Sequence, residues 1–407
     1  MVGVRVLTLN CWGILYISKH RASRFQHIAE HIAAGSHDLV ALQEVWCKQD
    51  YHYVKEHISS VLPYSQYFSS GVIGSGLCMF SRWPIEEIAY EPFQLHGIPY
   101  KVWEGDWFGG KGVAMCVILH PRHGPLHFFT THMVAEYSHG KINSNQSCRI
   151  SQAFQVVRFI RRYKPRFAIV SGDFNAQPES PSYNLLTSYG QLTDSWLTVG
   201  GSDVGPTAGH TCNLPDNVYT EKQSRAKRID YIFYSSDNMQ PVKLQCQSCV
   251  VMLEQVPHAK LCYSDHSGVA ADFEFIQIEN GDCSEDEKAV KAPMDTLIVA
   301  EQLTSMGIQT AHNRRQQQMV GFLFFISMWF TLIAFSWLPV ILSVISFNPV
   351  NVGLTSPLVG ILQSIAAALA TLFALFGFIV TQIEIYKMNQ LHQEIKLLCD
   401  IHVNSQK

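Results

Sequence analysis

From Gln316 to Ile383 the chain contains no Asp, Glu, Lys or Arg. A membrane span needs only about 20 mostly apolar residues. Soluble core helices seldom stay uncharged for this long, so the gap argues against a buried hairpin and leaves room for two spans back to back. A short polar turn, Ser346-Phe347-Asn348-Pro349-Val350-Asn351, divides it. Basic excess is also missing: the 407 residues carry a formal net charge of −3, against the basic footprint usual in nucleic-acid binders. The eleven cysteines lack paired spacing except at Cys246 and Cys249. With no second pair and no closely spaced histidines, a zinc site is not expected, and the cysteines read as free thiols. Met1–Leu9 lacks the long apolar core and cleavage site of a signal peptide and reads as a β-strand. Residues 1 to about 315 are therefore expected in the cytosol, where the Asn145-Gln146-Ser147 sequon would stay unglycosylated.

Up to Phe275 short apolar runs alternate with helical stretches. Val4–Leu9, Leu39–Leu42, Leu77–Phe80, Val113–Leu119, Leu126–Thr130, Ala168–Ser171, Ile229–Tyr234 and Val269–Phe275 read as strands. Arg24–Ala33 and Gln152–Arg162 show helical spacing. Strands and helices mixed in this way predict a layered α/β or α+β domain over 1–275, with sheets in the middle. An acidic, solvated linker follows at 276–292, with Glu279, Asp282, Glu285, Asp286 and Glu287. A juxtamembrane helix is expected at 293–318 and transmembrane helices at 319–345 and 353–381, then a C-terminal helix and tail at 382–407. Arg314 and Arg315 precede the first span, Lys387 and Lys396 follow the second, and the turn has no basic residue. The positive-inside rule then places both termini in the cytosol. Met388, Leu391, Ile395, Leu398 and His402 repeat at 3-4-3-4 spacing, a stripe that either pairs two copies or packs on the same chain.

Several strand ends carry polar, metal-competent side chains: Leu9-Asn10-Cys11-Trp12-Gly13, Leu42-Gln43-Glu44-Val45-Trp46, Thr131-His132, Ser171-Gly172-Asp173-Phe174-Asn175, Arg228-Ile229-Asp230-Tyr231 and Ser264-Asp265-His266. Hard divalent cations prefer carboxylate and amide oxygens, which Asn10, Glu44, Asp173, Asn175 and Asp265 supply. Strand ends gather distant residues at one rim of a sheet, so a single site is plausible. Singly each motif is weak, since an Asp before Phe-Asn also caps turns and most of the 18 histidines must be incidental.

Taken together and in order, these motifs resemble the endonuclease/exonuclease/phosphatase superfamily, which includes deoxyribonuclease I, AP endonuclease and inositol polyphosphate 5-phosphatases. The resemblance tightens around Cys11-Trp12-Gly13, Glu44-Val45-Trp46, Ser70–Cys78, Gly105-Asp106-Trp107-Phe108, Lys111 and Thr131–Tyr137. These segments look like the neutral sphingomyelinases with two C-terminal membrane spans. The resemblance covers nearly the whole chain. It implies an α+β fold, a four-layer α/β sandwich of the deoxyribonuclease I kind followed by two transmembrane α-helices. It implies Mg²⁺, with Mn²⁺ as a substitute, held by Glu44 and Asn10, with Asp265 on metal or water. His266 resembles the general base and Asp230 the carboxylate that orients it, while Asp173 and Asn175 would position water and a phosphate oxygen. Whether Asp173 or His266 takes the proton stays open. His132 would donate to a non-bridging oxygen. Asp106 and Lys111 match a substrate-binding, regulatory loop that includes Trp107 and Phe108, with Lys111 reaching the phosphate; the aromatics suit a bilayer-facing role. One departure is Val134, where some neutral sphingomyelinases have a histidine.

The implied reaction is Mg²⁺-dependent hydrolysis of sphingomyelin to ceramide and phosphocholine, with choline lyso-lipids such as lyso-platelet-activating factor as further substrates. A membrane-anchored phosphoinositide phosphatase or nuclease of the same superfamily is the alternative. The densest basic cluster, Arg158, Arg161, Arg162, Lys164 and Arg166, reads more simply as a solvated face than as a nucleic-acid groove. A catalytically silent scaffold would have no reason to retain the ordered acidic and histidine set. Expected partners are the lipid substrate, the bilayer and a second copy through the transmembrane or C-terminal helices; no nucleic acid is expected. Relatives point to the endoplasmic reticulum or another endomembrane.

Overall fold

The computed structural model describes residues 3–137, 145–200, 208–221, 224–237, 241–277, 288–346 and 356–405. Most of the expected acidic linker, at 278–287, and most of the polar turn, at 347–355, lie outside them. The chain divides into two units, Met1–Ala300 with Leu398–Lys407, and Glu301–Leu397.

The first unit begins with β1 (Val4–Asn10), α1 (Arg21–Ala33), β2 (Leu39–Gln43), α2 (Lys48–Ile58), β3 (Tyr64–Phe68), β4 (Leu77–Ser81), β5 (Ile85–Pro92), β6 (Gly112–His120) and β7 (Gly124–His132). It continues through α3 (Gln146–Tyr163), β8 (Phe167–Asp173), α4 (Pro181–Asn184), β9 (Thr193–Asp194), α5 (Ser195–Thr198), β10 (Asp230–Ser236), β11 (Val242–Met252) and β12 (Gly268–Gln277). The strands form two six-stranded sheets, in the orders β11-β12-β1-β2-β4-β3 and β5-β6-β7-β8-β10-β9.

Alternation along each strand decides what fills the space between the sheets. Val4 and Val6 of β1 and Leu39 and Ala41 of β2 turn inward to meet Ala114, Cys116, Phe128, Ile169 and Ile232 of the other sheet. The intervening Leu7, Leu9, Val40 and Leu42 face outward against Phe25, Ile28 and Ile32 of α1 and Tyr51, Val54 and Ile58 of α2. On the far side α3 covers the second sheet, with Phe159 edge-on to Phe129 of β7 at 6.1 Å. Helices, sheet, sheet and helices give the four layers. Every strand read from the sequence is present. Those the periodicity missed, β3, β5, β9 and β11, are short, partly exposed or flanked by charge, and α2 was also missed, its stripe of Tyr51, Val54 and Ile58 set among polar residues.

One backbone contact locks the second sheet near its C-terminal strand ends. Gly172 of β8 has φ +142°, and a Cβ there would stand 2.1 Å from the carbonyl oxygen of Thr131 on β7.

In the second unit the expected juxtamembrane helix and first span are one continuous helix, α6 (Lys288–Ser346), which begins in the first unit. The second span comprises α7 (Ser356–Ala374) and a π-helical segment, Leu375–Val380, and runs on into α8 (Thr381–Ser405). Both helical runs are long and apolar enough to cross a membrane. They pack through rings, Phe325 on Phe373 at 5.5 Å and Phe322 on Phe378 at 5.7 Å. Polar ties follow where the sequence regains charge, Arg314 to Glu384 at 3.0 Å and Thr304 to His392 at 3.1 Å. The C-terminal apolar stripe is covered within the chain: Ile385, Met388, Leu391, Ile395 and Cys399 are buried. Of the expected stripe, Met388, Leu391 and Ile395 are buried, while Leu398 and His402 are half-buried and Cys399 takes the buried position between them.

A β-carbon at Gly172 has nowhere to go, so Gly172→Ala is expected to destabilise the first unit by about 3 kcal/mol, the scale of a strained backbone position. Urea unfolding of the full chain in detergent, read at the tryptophans, measures it; an unchanged midpoint would contradict the contact.

Candidate active site

The inward alternation that puts Val4 and Val6 in the core carries on to Thr8 and Asn10 at the end of β1. Gln43, at the matching end of β2, donates to Thr8 Oγ1 and to Thr130 Oγ1 of the opposite sheet, each at 3.0 Å. This polar tie joins the two sheets directly beneath the rim. Asn10 then donates through Nδ2 to Glu44 Oε1 at 3.1 Å and to Asp173 Oδ2 at 2.9 Å. Its Oδ1 accepts the backbone N–H of Trp12 at 3.0 Å, which fixes which end of the carboxamide faces the acids. Trp12, Glu44 and Asn175 all have left-handed backbone, with φ of 44°, 57° and 47°. Such strain in non-glycine residues tends to gather at functional sites.

The other half of the rim is built around β10. Register places Asp230 directly opposite Asp173. Asp230 Oδ2 takes His266 Nδ1 at 2.8 Å and the hydroxyl of Thr211 at 2.6 Å. The Asp230 Oδ1 atom is buried without a partner. Asp173, Asp230 and His266 offer ligand atoms within 4.8 Å of one another. Asp265 accepts a bond from the Ser264 hydroxyl at 3.1 Å. Asn175 closes the base of the site, donating its backbone N–H to Asp173 Oδ1 and its Nδ2 to the Met133 carbonyl, both at 2.9 Å.

Acids packed this closely cannot all ionise comfortably. Burial, and then the neighbouring Asp265, pushes the Glu44 carboxyl up from its usual range. Asp173 is raised by burial and by Asp230, and Asp265 chiefly by burial. Burial alone would lower His266, but the Cys212 thiol and the Asp230 carboxylate together hold its imidazole well above the ordinary value. Buried carboxylates, an orphaned carboxylate oxygen and a set of hard oxygen donors fit a divalent cation. Asp230 Oδ2 is committed to His266 and Thr211 but its Oδ1 is not, so Glu44, Asp173 and that Asp230 oxygen are the acid groups best placed to hold it. Asn10 presents nitrogen to them, so here it orients Glu44 and Asp173 where a direct ligand would offer oxygen.

Lys111 sits at the edge of this cluster, buried, with Nζ 2.5 Å from Asp106 Oδ1, 3.2 Å from the Met133 carbonyl and 3.0 Å from His132 Nε2. An ammonium only donates, so His132 Nε2 is the acceptor. Burial, with Lys111 next in weight, holds His132 well below its usual value. In this arrangement His132 accepts a hydrogen bond, whereas the resemblance implies a donor to phosphate; donation needs Lys111 to leave. His132 Nε2 is 3.5 Å from Asp173 Oδ2 and 3.8 Å from Glu44 Oε1. Asp106 also accepts the backbone N–H of Ala135 at 3.2 Å. Trp107 is 39% exposed and stands edge-on to Phe108 at 5.2 Å, and Trp103 is 73% exposed.

Asn10, Glu44, Asp106, Lys111, His132, Asp173, Asn175, Asp230 and His266 are thus linked by hydrogen bonds or close polar contacts, with Asp265 adjoining His266. Three contributors escaped the sequence: Thr211, which anchors Asp230; Gln43, which ties the sheets; and Arg24, a buried cation in α1. No strand-end motif marks Thr211 or Arg24, whereas Gln43 stands beside Glu44 and its polar side chain on an inward position was a readable signal.

Two sheets meeting at a rim of buried carboxylates and histidine define a metal-dependent phosphoester-hydrolysing class of protein. The chain belongs to the endonuclease/exonuclease/phosphatase family, whose model matches residues 7–266. Among curated proteins it is similar to inositol phosphosphingolipids phospholipase C of Schizosaccharomyces pombe, 36% identical over 290 residues, covering 65% of this chain and 67% of that protein. It is similar to sphingomyelin phosphodiesterase 2 of Rattus norvegicus, 36% identical over 278 residues, covering 66% of this chain and 64% of that protein. The chain thus spans about two thirds of the length of these relatives. Among solved structures it shares the fold of beta toxin from Staphylococcus aureus, with a TM-score of 0.54 and 18% identity, covering 66% of this chain and 99% of that one.

To act as the general base that the resemblance implies, His266 must be deprotonated, and Asp230 raises its pKa. Asp230→Asn is therefore expected to shift the acidic limb of the pH–rate profile to lower pH. The maximal rate should fall about 10²-fold or more as the imidazole loses its orienting acceptor. A pH–rate series on both proteins checks this; an acidic limb that stays put or moves upward would contradict the pairing.

Proposed function

We propose that the chain is a Mg²⁺-dependent sphingomyelin phosphodiesterase of the phospholipase C type, cleaving on the ceramide side of the phosphodiester. The observation that carries the reading is the pairing of His266 with Asp230 across from the Asn10–Glu44–Asp173 cluster, in a chain closely similar to sphingomyelin phosphodiesterase 2.

Asp230 holds His266 Nδ1–H and leaves Nε2 as the basic nitrogen, which takes a proton from the attacking water. The water oxygen bonds to phosphorus, the bond to the ceramide oxygen breaks, and that oxygen takes a proton from solvent to leave as ceramide; phosphocholine carries the new hydroxyl, and His266 returns its proton to solvent. Asp173 and Asn175 orient water and a phosphate oxygen. Glu44 with Asp173, supported by Asp265, would hold the cation, which when bound neutralises charge on the phosphate and the leaving oxygen. Lys111, released from Asp106, reaches the phosphate, and its departure frees His132 Nε2 to carry a proton and donate to a non-bridging oxygen.

Two membrane-spanning helices suit this substrate, because tethering concentrates the enzyme at the surface that holds it. Arg314 and Arg315 on one side and Lys387 and Lys396 on the other favour a cytosolic catalytic domain, in the endoplasmic reticulum or a related membrane. With the C-terminal stripe covered within the chain, a homodimer would form through the remaining faces of the spans. A second reading is hydrolysis of inositol phosphosphingolipids, favoured by the equal identity to the yeast phospholipase C. Choline lyso-lipids are further candidates for the same site.

Glu44→Gln and His266→Ala in the full chain are each expected to lower Mg²⁺-dependent phosphocholine release by about 10³-fold or more, as loss of a metal ligand or of the base does. Release from sphingomyelin vesicles measures this. Retention of more than a tenth of the wild-type rate by either variant would overturn the assignment.

A further inference from the structure

Arg24 is fully buried on α1, yet among the described residues no carboxylate pairs with it. A buried cation costs several kcal/mol unless something answers it. Here backbone carbonyls do. The guanidinium donates through Nε to Lys19 O at 2.9 Å, through Nη1 to Cys11 O at 2.6 Å and Tyr263 O at 3.2 Å, and through Nη2 to Trp12 O at 2.7 Å. Its plane also lies 5.1 Å from the Trp12 ring and 5.7 Å from the Tyr219 ring.

The positions of those carbonyls give the group its meaning. Cys11 and Trp12 directly follow Asn10, the residue that spans Glu44 and Asp173, and Trp12 is one of the left-handed residues of the rim. Tyr263 lies two residues before Asp265 and three before His266. One planar fork therefore fixes the segment that leaves β1 and the segment that enters β12, on which the two halves of the site depend. No apolar side chain of similar size can do this. Lysine offers a point charge without the fork.

Resting on the functional reading above, we propose that Arg24 is a positioning residue of the metal site. It holds the Asn10–Trp12 turn and the Tyr263–His266 segment in register, so that Glu44 and Asp173 face Asp265 and His266 across one cation. It touches neither substrate nor reacting atoms. The charge also favours ionised Asp265, acting against the burial that raises its pKa.

The test uses the full chain in nanodiscs, with wild type, Arg24→Lys, Arg24→Met and Arg24→Ala. Mn²⁺ binding read by electron paramagnetic resonance needs no substrate. The expected result is a loss of about 10- to 100-fold in metal affinity, the effect of removing outer-sphere support from a metal site. Catalytic rate should fall in step while the KM for lipid stays within about twofold, since only orientation is lost. Ethylguanidinium should restore part of the Mn²⁺ affinity of Arg24→Ala, a rescue that a purely structural role would not give. Folded variants that bind Mn²⁺ like wild type would overturn the proposal, as would Arg24→Lys or Arg24→Met retaining full activity. If the variants unfold more readily, affinity measured on the folded fraction decides it, and an unchanged value counts against it. Wild type that binds Mn²⁺ yet releases no phosphocholine would sink the functional reading and leave the role of Arg24 standing.

Discussion

Crowding of carboxylates, two buried and two half-buried, where two sheets come together is the constraint on which the site depends. Glu44, Asp173, Asp230 and Asp265 converge because the strands that carry or precede them end at one rim. Desolvation makes Glu44, Asp173 and Asp265 reluctant to ionise. Three devices hold the arrangement. Asn10 spends both amide hydrogens on Glu44 and Asp173. Thr211 and His266 share one oxygen of Asp230. Gln43 ties the sheets beneath, so that the rim cannot spread. What the protein leaves unanswered is negative charge, which fits the metal dependence of the family.

The same residues explain how much of the site was legible. Inward alternation on β1 and β8 put Asn10 and Asp173 at strand ends, and a period of two reads directly from sequence; Glu44 follows the inward Gln43 and enters the site through its left-handed backbone. His132, Asp230 and His266 stood out because each follows or begins an apolar run. Thr211 and Arg24 were silent: one sits in an irregular segment and the other inside an ordinary amphipathic helix. Their importance arises from contacts 19 and 239 positions away along the chain. The orientation of the Asn10 carboxamide was also beyond reach, because the Trp12 N–H that fixes it depends on a left-handed turn. In the fold, the central strands were readable and the edges were not. β3 and β5 border the sheets, where partial exposure and charge blur the alternation.

Fold and metal site are shared by proteins that cleave very different phosphoesters, so neither selects the substrate. Selection comes from elsewhere in the chain. The uncharged stretch from Gln316 to Ile383 forms two helical runs of membrane-spanning length, with aliphatic and aromatic side chains such as Leu323, Phe330, Trp337 and Ile361 turned outward. The C-terminal stripe, which could equally have paired two copies, is consumed inside the chain. Helices of membrane-spanning length suit a lipid phosphodiester, and the similarity to an inositol phosphosphingolipids phospholipase C and a sphingomyelin phosphodiesterase supports the proposal that the substrate carries ceramide.

The central claim concerns which bond is cut in which lipid, and product analysis addresses it most directly. Purified full-length protein would be given vesicles of sphingomyelin, inositol phosphosphingolipid, lyso-choline lipid or phosphoinositide, and separately single-stranded DNA, each with and without Mg²⁺. The account predicts ceramide and phosphocholine from sphingomyelin, formed only with the metal and faster than product from any other member of the set. Faster release of inositol phosphate, of nucleotides or of free phosphate, or equal rates after Mg²⁺ is chelated, would contradict it.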